Sequence, residues 1–482
     1  MERLKNYIGG EWRESSSSEV LAVRNPATDE VLAEVPLSTR EEVERAIRAA
    51  GEAYPEWRET PPVARVQYLF RFKQLLEEHF EELARTVSQE EGKTLDEARG
   101  EVRRLIENVE VATGIPSLMM GYNLEDIARG IDEEVFRQPL GVFSVIPPFN
   151  FPAMVPWWFA PYAIAIGNTY IIKPSEQVPI VQSRIFQLVD ELDLPPGVLN
   201  LVNGAKEVVD LLLESPDIVG ISSVTSTPVA RYIYRKGAEH GKRVQCQAGA
   251  KNFIVVMPDA DLERTIPALI TSFFGCAGER CLSGSVLLPV GEIYEPLKRK
   301  FSEAAAKLKV GDPLDETVQM GPVISREHKE RVLGYIERGL QEGANLLLDG
   351  RAIKVRGHEN GYFLGPTVFD RVRPEMAIAR EEIFGPVASI IPVKDLDEAI
   401  EIIHANPYGN ASSIFTTSGG AAREFKYRVK CGNIGINVGI VAPMAFFPFG
   451  GRKDSFFGDL HGQGRDAIDF FSEKKVVITR WW

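Results

Sequence analysis

Cysteine and histidine are scarce in this 482-residue chain, with four of the first and six of the second. Cys246, Cys276, Cys281 and Cys431 form no C-x-x-C pair. The close pair, Cys276 and Cys281, lacks zinc-ligand spacing and has no histidine nearby in sequence. A zinc site is thereby excluded there, and no metal is expected. So few cysteines in so long a chain are no disulfide framework, which points to a reducing compartment, the cytoplasm. Positive charge is also short: 55 Lys and Arg face 68 Asp and Glu, for a net charge of −13. That balance argues against nucleic acid or an anionic membrane as the main partner and leaves room for a local basic pocket. An uninterrupted apolar helix is missing too. Gln138 to Ile172 holds no charged residue and is long enough to span a bilayer. It also holds Pro139, Pro147, Pro148, Pro152, Pro156 and Pro161, which break helical hydrogen bonding repeatedly. The segment reads as buried strand, turn and short helix around a site. The first seven residues, Met1 to Tyr7, carry charges and no apolar stretch, so no signal peptide is expected.

What is present is an ordinary globular composition, 44% hydrophobic and 26% charged, on a length that suggests two or three domains. Residues 25–36 read as strand and turn, after a short polar turn at Ser15–Ser18. Apolar residues at three- and four-residue spacing then predict helices over Glu41–Ala53, Val63–Thr86 and Thr94–Thr113. Beyond them strands alternate with helices. Val142–Ile146, Thr169–Lys173, Val198–Val202 and Ile218–Val224 are strands, with helices at Val178–Leu192, Lys206–Glu214 and Pro228–Lys236. A second alternating series runs from about Asn252 to Thr416, including Phe253–Met257, Leu262–Phe274, Ser285–Pro289, Glu295–Leu308, Glu327–Glu342, Ala388–Val393 and Leu396–Ala405. Alternation of this kind predicts two doubly wound α/β domains with parallel sheets. Lys475–Arg480 is strongly β-forming, with no evident partner.

Several short segments carry candidate chemistry. Cys281 ends Phe273-Phe-Gly-Cys-Ala-Gly-Glu-Arg-Cys281, where small residues leave room for backbone donors and Arg280 could lower the thiol pKa. A buried, inert cysteine is the alternative. Asn150, held among Pro147, Pro148, Phe149, Phe151 and Pro152, could donate to a developing oxyanion, or simply satisfy a turn. Lys173-Pro174-Ser175-Glu176 follows a strand, where Lys and Glu could bind ribose hydroxyls and the Glu would repel a 2′-phosphate. Ser226-Thr227-Pro228 opens a helix behind a strand, a phosphate-binding geometry, with Thr227 expected as N-cap. Glu382 and Phe384 lie two residues apart, so on a strand they would share one face and could bind a ribose diol and brace a flat ring. Arg104 and Arg280 could clamp a substrate carboxylate, although Arg104 also suits a solvated helix face. Gly92-Lys93-Thr94 is not a P-loop, because Val87 occupies the position of the first glycine.

In this order, the motifs Pro148-Phe-Asn-Phe-Pro152, Lys173-Pro-Ser-Glu176, Gly278-Glu-Arg-Cys281, Glu382-Ile-Phe-Gly-Pro386 and Pro448-Phe-Gly-Gly451 resemble the aldehyde dehydrogenase superfamily over nearly the whole chain. Where most aldehyde-oxidising members carry Leu-Glu-Leu-Gly-Gly-Lys, this chain reads Cys246-Gln-Ala-Gly-Ala-Lys251. Gln247 replaces the glutamate that serves as general base, and an amide accepts no proton at neutral pH. That loss resembles the CoA-acylating branch, the methylmalonate (malonate) semialdehyde dehydrogenases, as do Gly241-Lys-Arg-Val-Gln245 and Ser455-Phe-Phe-Gly-Asp-Leu-His461. Thr225 stands where the branch usually has glycine, and Leu105 where it commonly has glycine beside Arg104.

The resemblance implies a Rossmann-like NAD-binding domain of residues 1–124 and 140–248, a catalytic domain of 249–450, and a small β oligomerisation element of 125–139 and 451–482. It implies Cys281 as nucleophile and Asn150 as oxyanion donor. NAD would be held by Phe149, Lys173, Glu176, Ser226, Glu382 and Phe384, and the substrate carboxylate by Arg104 and Arg280. The implied reaction is NAD-dependent oxidation of malonate or methylmalonate semialdehyde to acetyl- or propionyl-CoA, with CoA as co-substrate and loss of the carboxylate, in a homotetramer that is a dimer of dimers. The alternative is a hydrolytic, CoA-independent aldehyde dehydrogenase that releases a carboxylic acid.

Overall fold

The computed structural model describes residues 2–482. The charge-free stretch 138–172 forms its centre. Strand Val142–Ile146, a one-turn 3-10 segment Val155–Trp158, helix Ala160–Ile166 and strand Thr169–Ile172 follow one another, almost entirely buried. Burial on all sides is why the run carries no charge. Its helix ends at Gly167, in the left-handed conformation at φ 115°, and the buried Arg65 donates to the carbonyls of Ala165 and Ile166, both at 2.8 Å. Among the described residues no helix is long and apolar enough to cross a membrane.

The first large sheet has eight strands. Its parallel part runs 243–247, 218–224, 142–146, 169–172 and 199–201. Antiparallel strands close the edges, Phe456–Phe457 at one and Asn6–Ile8 with Glu11–Arg13 at the other. The order reverses beside Val142–Ile146, so the loops leaving Ile146, Ile172 and Val224 share one crevice, the usual ligand position in such sheets. The second sheet has seven strands, with 367–370, 387–390, 284–289, 252–256, 411–415 and 433–436 parallel and 345–348 antiparallel at an edge. Residues 248–251 pass directly from one sheet to the other, between strands Arg243–Gln247 and Asn252–Val256. Carboxyl ends of the first sheet thus meet amino ends of the second.

The terminal strand, Ser472–Arg480, has a partner. It pairs antiparallel with Ile131–Pro139 from Ser472↔Pro139 to Arg480↔Ile131, and Tyr122–Ala128 adds a third, fully exposed strand. Two helices differ from the sequence pattern. Helix Arg40–Glu59 continues through Pro55. The apolar periodicity over Val63–Thr86 divides at His79 into helices Pro62–Glu78 and Phe80–Glu91, with no glycine or proline to mark the break. The Ser15–Ser18 turn is anchored, since Glu42 accepts from Ser15 Oγ at 2.8 Å and from the Ser16 amide at 2.7 Å. Glu42 also closes a capping box with Thr39 at the start of its own helix.

Candidate active site

The site grows from helix Leu95–Ala112. Thr94 caps it, and Glu97, three residues on, accepts a hydrogen bond from the Thr94 amide at 3.0 Å. The other oxygen of Glu97 leaves the helix. It accepts from the Cys276 amide at 2.7 Å and from Arg280 Nη2 at 3.0 Å. A carboxylate from the first turn of this helix therefore anchors the loop that leads to Cys281.

That loop is tightly wound. Cys276, Ala277 and Gly278 have φ of 47°, 50° and 76°, three successive residues in left-handed backbone. The small residues serve packing more than backbone access. A Cβ on Gly275 would lie 2.5 Å from the Arg280 guanidinium, and one on Gly278 would lie 2.3 Å from the Gly385 carbonyl. Arg280 folds back over Gly275, and its Nε donates to Cys276 Sγ at 3.1 Å. Downstream, the Cys281 carbonyl accepts from Asn252 Nδ2 at 2.9 Å and from Asn410 Nδ2 at 2.7 Å. Two side-chain amides, one opening strand Asn252–Val256 and one just before strand Ala411–Phe415, thus fix the backbone that carries the thiol.

Cys281 is half-buried and lines a cavity of about 790 Å³, together with Arg104, Arg280, Phe151, Trp158 and Phe449. Burial pushes its thiol up to about 12, and the Glu382 carboxylate adds to the rise; the Cys281 and Leu282 amides and Arg280 pull the other way. The adjacency of Arg280 and Cys281 predicts a lowered thiol pKa. The structure instead commits that guanidinium to Glu97 and Cys276. Asn150 is buried and donates Nδ2 to the Glu279 carbonyl at 2.8 Å. One amide proton remains free, because an NH₂ group has two.

The loops that follow strands Val142–Ile146, Thr169–Ile172 and Ile218–Val224 carry Phe149, Lys173, Glu176 and Ser226. Lys173 and Glu176 pair at 2.9 Å. Burial opposes ionisation of Glu176, and the Lys173 ammonium outweighs it, holding the carboxyl below its usual range. Ser226 caps helix Thr227–Glu239 by its extended backbone without a side-chain hydrogen bond, which leaves first-turn amides available. Thr227 is not the cap. Its Oγ1 accepts from the Gly249 amide at 3.0 Å and ties the helix start to the passage between the sheets. Thr225 Oγ1 is buried without a partner. Glu382 and Phe384 do not share a strand face. Their segment is a loop in which Phe384 has φ 62°, so its ring meets Phe149 edge-on with centroids 5.8 Å apart. Glu382 accepts from the Ala250 amide at 2.8 Å, and burial pushes it up to about 7. Burial pushes the nearby Lys251 down to about 7.

Gln247 presents a neutral amide. Gln247 is buried, its Nε2 donates to the Phe449 carbonyl at 3.2 Å, and its Oε1 has no partner. The two arginines expected to act as a clamp both reach the cavity, but each already holds a carboxylate, Arg104 with Glu107 at 2.8 Å and Arg280 with Glu97.

The aldehyde dehydrogenase family profile matches residues 12–477. The chain belongs to this family. Among aldehyde dehydrogenases it is 52% identical over 481 residues to malonate-semialdehyde dehydrogenase 2 of Geobacillus kaustophilus strain HTA426, covering 100% of this chain and 99% of the relative. The malonate-semialdehyde dehydrogenase of Halalkalibacterium halodurans is 50% identical over 480 residues, 100% of this chain and 99% of the relative. In structure it matches the methylmalonate-semialdehyde dehydrogenase of Oceanimonas doudoroffii with a TM-score of 0.98 at 45% identity, over 100% of this chain and 99% of that one. Four further residues take part in this aldehyde dehydrogenase site. Lys93 and Glu101 hold the Asn150 segment. Glu279 and His328 lie 3.3 Å apart, and His328 Nε2 reaches the Phe384 carbonyl at 2.6 Å. Burial raises the Glu279 carboxyl well above its usual range and lowers the His328 imidazole. In sequence, Glu279 is noticed only as part of Gly278-Glu-Arg-Cys281 and Lys93 only as part of Gly92-Lys93-Thr94, which is not a phosphate loop; Glu101 and His328 carry no mark.

Proposed function

We propose that the protein is a CoA-acylating, NAD-dependent malonate or methylmalonate semialdehyde dehydrogenase that yields acetyl-CoA or propionyl-CoA. The observation that carries this reading is Gln247, a buried amide at the position where a hydrolytic enzyme needs a base, in a site that keeps a half-buried cysteine on a cavity wall. The names of the relatives support the substrate class. The crevice residues fit a dinucleotide: the first-turn amides behind Ser226 suit a pyrophosphate, and Lys173, Glu176 and Glu382 suit ribose hydroxyls, with Phe149 and Phe384 beside them. NAD, when bound, accepts the hydride.

In this reading the Cys281 sulfur attacks the aldehyde carbon. The free Asn150 amide proton and the Cys281 amide receive the developing oxyanion. Loss of hydride leaves a thioester on Cys281. With no base at position 247 to activate water, the thiol of CoA attacks the thioester carbon, the bond to the Cys281 sulfur breaks, and that sulfur takes up the thiol proton as it leaves. The carboxylate β to the thioester carbonyl departs as carbon dioxide, its electron pair passes into that carbonyl as an enolate, and the enolate carbon takes up a proton. The division into an NAD-binding unit (1–124 and 140–248), a catalytic unit (249–450) and an assembly element (125–139 and 451–482) belongs to the same proposal. So does a homotetrameric, cytoplasmic enzyme. Leu124, Ile127, Phe136, Val476 and Ile478, all exposed on the three-stranded sheet, support assembly.

NADH formation from malonate semialdehyde, followed with and without CoA and with mass analysis of products, tests the proposal. Turnover that requires CoA and gives acetyl-CoA is expected. CoA-independent turnover to a free acid would establish the hydrolytic alternative.

The arginines make a second prediction. Arg280 is 12% exposed and paired with Glu97 of another segment, whereas Arg104 is 34% exposed, pairs with Glu107 on its own helix and otherwise meets the neutral sulfur of Met444. Arg104 can therefore exchange Glu107 for a substrate carboxylate at little cost. Arg104→Leu should raise KM for malonate semialdehyde about 10- to 100-fold, the worth of one charge-assisted hydrogen bond, and leave KM for propanal unchanged. Equal effects on both substrates would remove Arg104 from carboxylate recognition.

A further inference from the structure

Glu97, Glu101 and Arg104 sit four and three residues apart on helix Leu95–Ala112, hence on one face. Glu97 serves the Cys281 loop and Arg104 the cavity. Glu101 serves the segment of Asn150, in company with Lys93. Lys93 Nζ lies 2.5 Å from Glu101 Oε2 and donates to the Asn150 carbonyl at 2.7 Å. It also stands 4.0 Å from the centroid of the Phe151 ring. Glu101 Oε1 accepts from the amides of Ala153 at 2.8 Å and Met154 at 3.1 Å. Neither side chain has any exposed surface.

Stability is a poor reason for such a pair. Two desolvated ions recover their hydration only through excellent geometry, and apolar replacements of similar volume are often as stable or more so. What the pair does that an apolar pair could not is hold both ends of residues 150–154 by charge-assisted, directional hydrogen bonds. One end is the carbonyl of Asn150 itself. The side chain of Asn150 has a single internal tether, its bond to the Glu279 carbonyl, so its free proton can be aimed only as well as its backbone is fixed. Misplacement of a reacting group by about 1 Å costs about 100-fold in rate.

We propose that Lys93 and Glu101 are positioning residues for Asn150, fixing the backbone from which its amide reaches the oxyanion. The inference rests on the oxyanion role given to Asn150 above. It predicts that removing the pair and removing the amide cost the same thing once, not twice.

The test is the pre-steady-state burst of NADH from propanal and NAD. It needs neither CoA nor a carboxylate on the substrate, so its outcome is separate from that of the acyl-transfer reading. The variants are Lys93→Met, Glu101→Gln, Asn150→Ala and the double variants with Asn150→Ala. Lys93→Met is expected to slow the burst about 100-fold, as loss of an oxyanion donor does, while NAD affinity and the rate of Cys281 alkylation by iodoacetamide stay unchanged. Lys93→Met/Asn150→Ala is expected to be no slower than Asn150→Ala alone. Should Lys93→Met fail to fold, Glu101→Gln keeps the shape and the acceptor for Ala153 and Met154, and its double variant with Asn150→Ala completes the same cycle. Multiplicative losses, or a burst unaffected by Lys93→Met beside a crippled Asn150→Ala, would overturn the positioning role. An unaffected Asn150→Ala would remove the oxyanion assignment and this proposal with it.

Discussion

Cys281→Ala should abolish NADH formation from every aldehyde, burst included, while NAD binding and the melting temperature remain near those of the parent. Without the thiol no covalent adduct forms, so there is no tetrahedral alkoxide whose electrons can expel the hydride. The substitution removes one half-buried sulfur from a cavity wall, so little packing is lost. Cys246, Cys276 and Cys431 are all buried, which makes alkylation a clean companion measurement. The parent should take up iodoacetamide at Cys281, and the variant should take up almost none. Because burial holds the Cys281 thiol above its usual range, the thiolate is the minor form at neutral pH. Alkylation should therefore quicken steadily as pH rises from 7 toward 10, about tenfold per unit. Residual oxidation in Cys281→Ala would transfer the nucleophilic role to another group and remove the thioester from the reaction.

The large elements were legible because their sequence patterns are local. Val142–Ile146 and Ile218–Val224 are β-branched runs bounded by turns, and helices Leu262–Phe274 and Leu396–Ala405 carry a plain apolar face; their observed limits match the pattern residue for residue. What is not local was not legible. The partner of the terminal strand lies more than 330 residues away along the chain, at Ile131–Pro139. The break at His79 leaves no glycine or proline behind.

The same contrast holds in the site. Cys281, Asn150, Lys173, Glu176 and Glu382 stand in short segments whose composition is distinctive, and the fold brings them to adjoining crevices. Their environments are set by residues without such marks. The guanidinium of Arg280 is next to Cys281 in sequence, yet it turns to Glu97, some 180 residues earlier. Glu382 and Phe384 suggest a strand by spacing, and the left-handed backbone at Phe384 makes a loop of it. Lys93 and Glu101, eight residues apart, form a buried pair because the Asn150 segment packs against both of them.

Gln247→Glu should restore hydrolysis. The glutamine is 2% exposed, spends its NH₂ group on the Phe449 carbonyl and leaves its oxygen unpartnered. A carboxylate in that place cannot donate to Phe449, and repulsion from the carbonyl favours a turn toward the cavity that Phe449 lines. Burial raises the pKa of a carboxyl group, which suits a base working near neutral pH. One lost hydrogen bond costs about 1 kcal/mol, too little to unfold a chain with cores of this size. General-base catalysis contributes about 10²–10⁴-fold, so CoA-free turnover of malonate semialdehyde should rise within that range. At saturating CoA, part of the product should appear as free acid. The readout is the ratio of acid to acyl-CoA, and an unchanged ratio would count decisively against the missing base. Water exclusion by the walls around Cys281 would then be what reserves the thioester for a thiol, and Gln247 would be a consequence of that selectivity, not its cause.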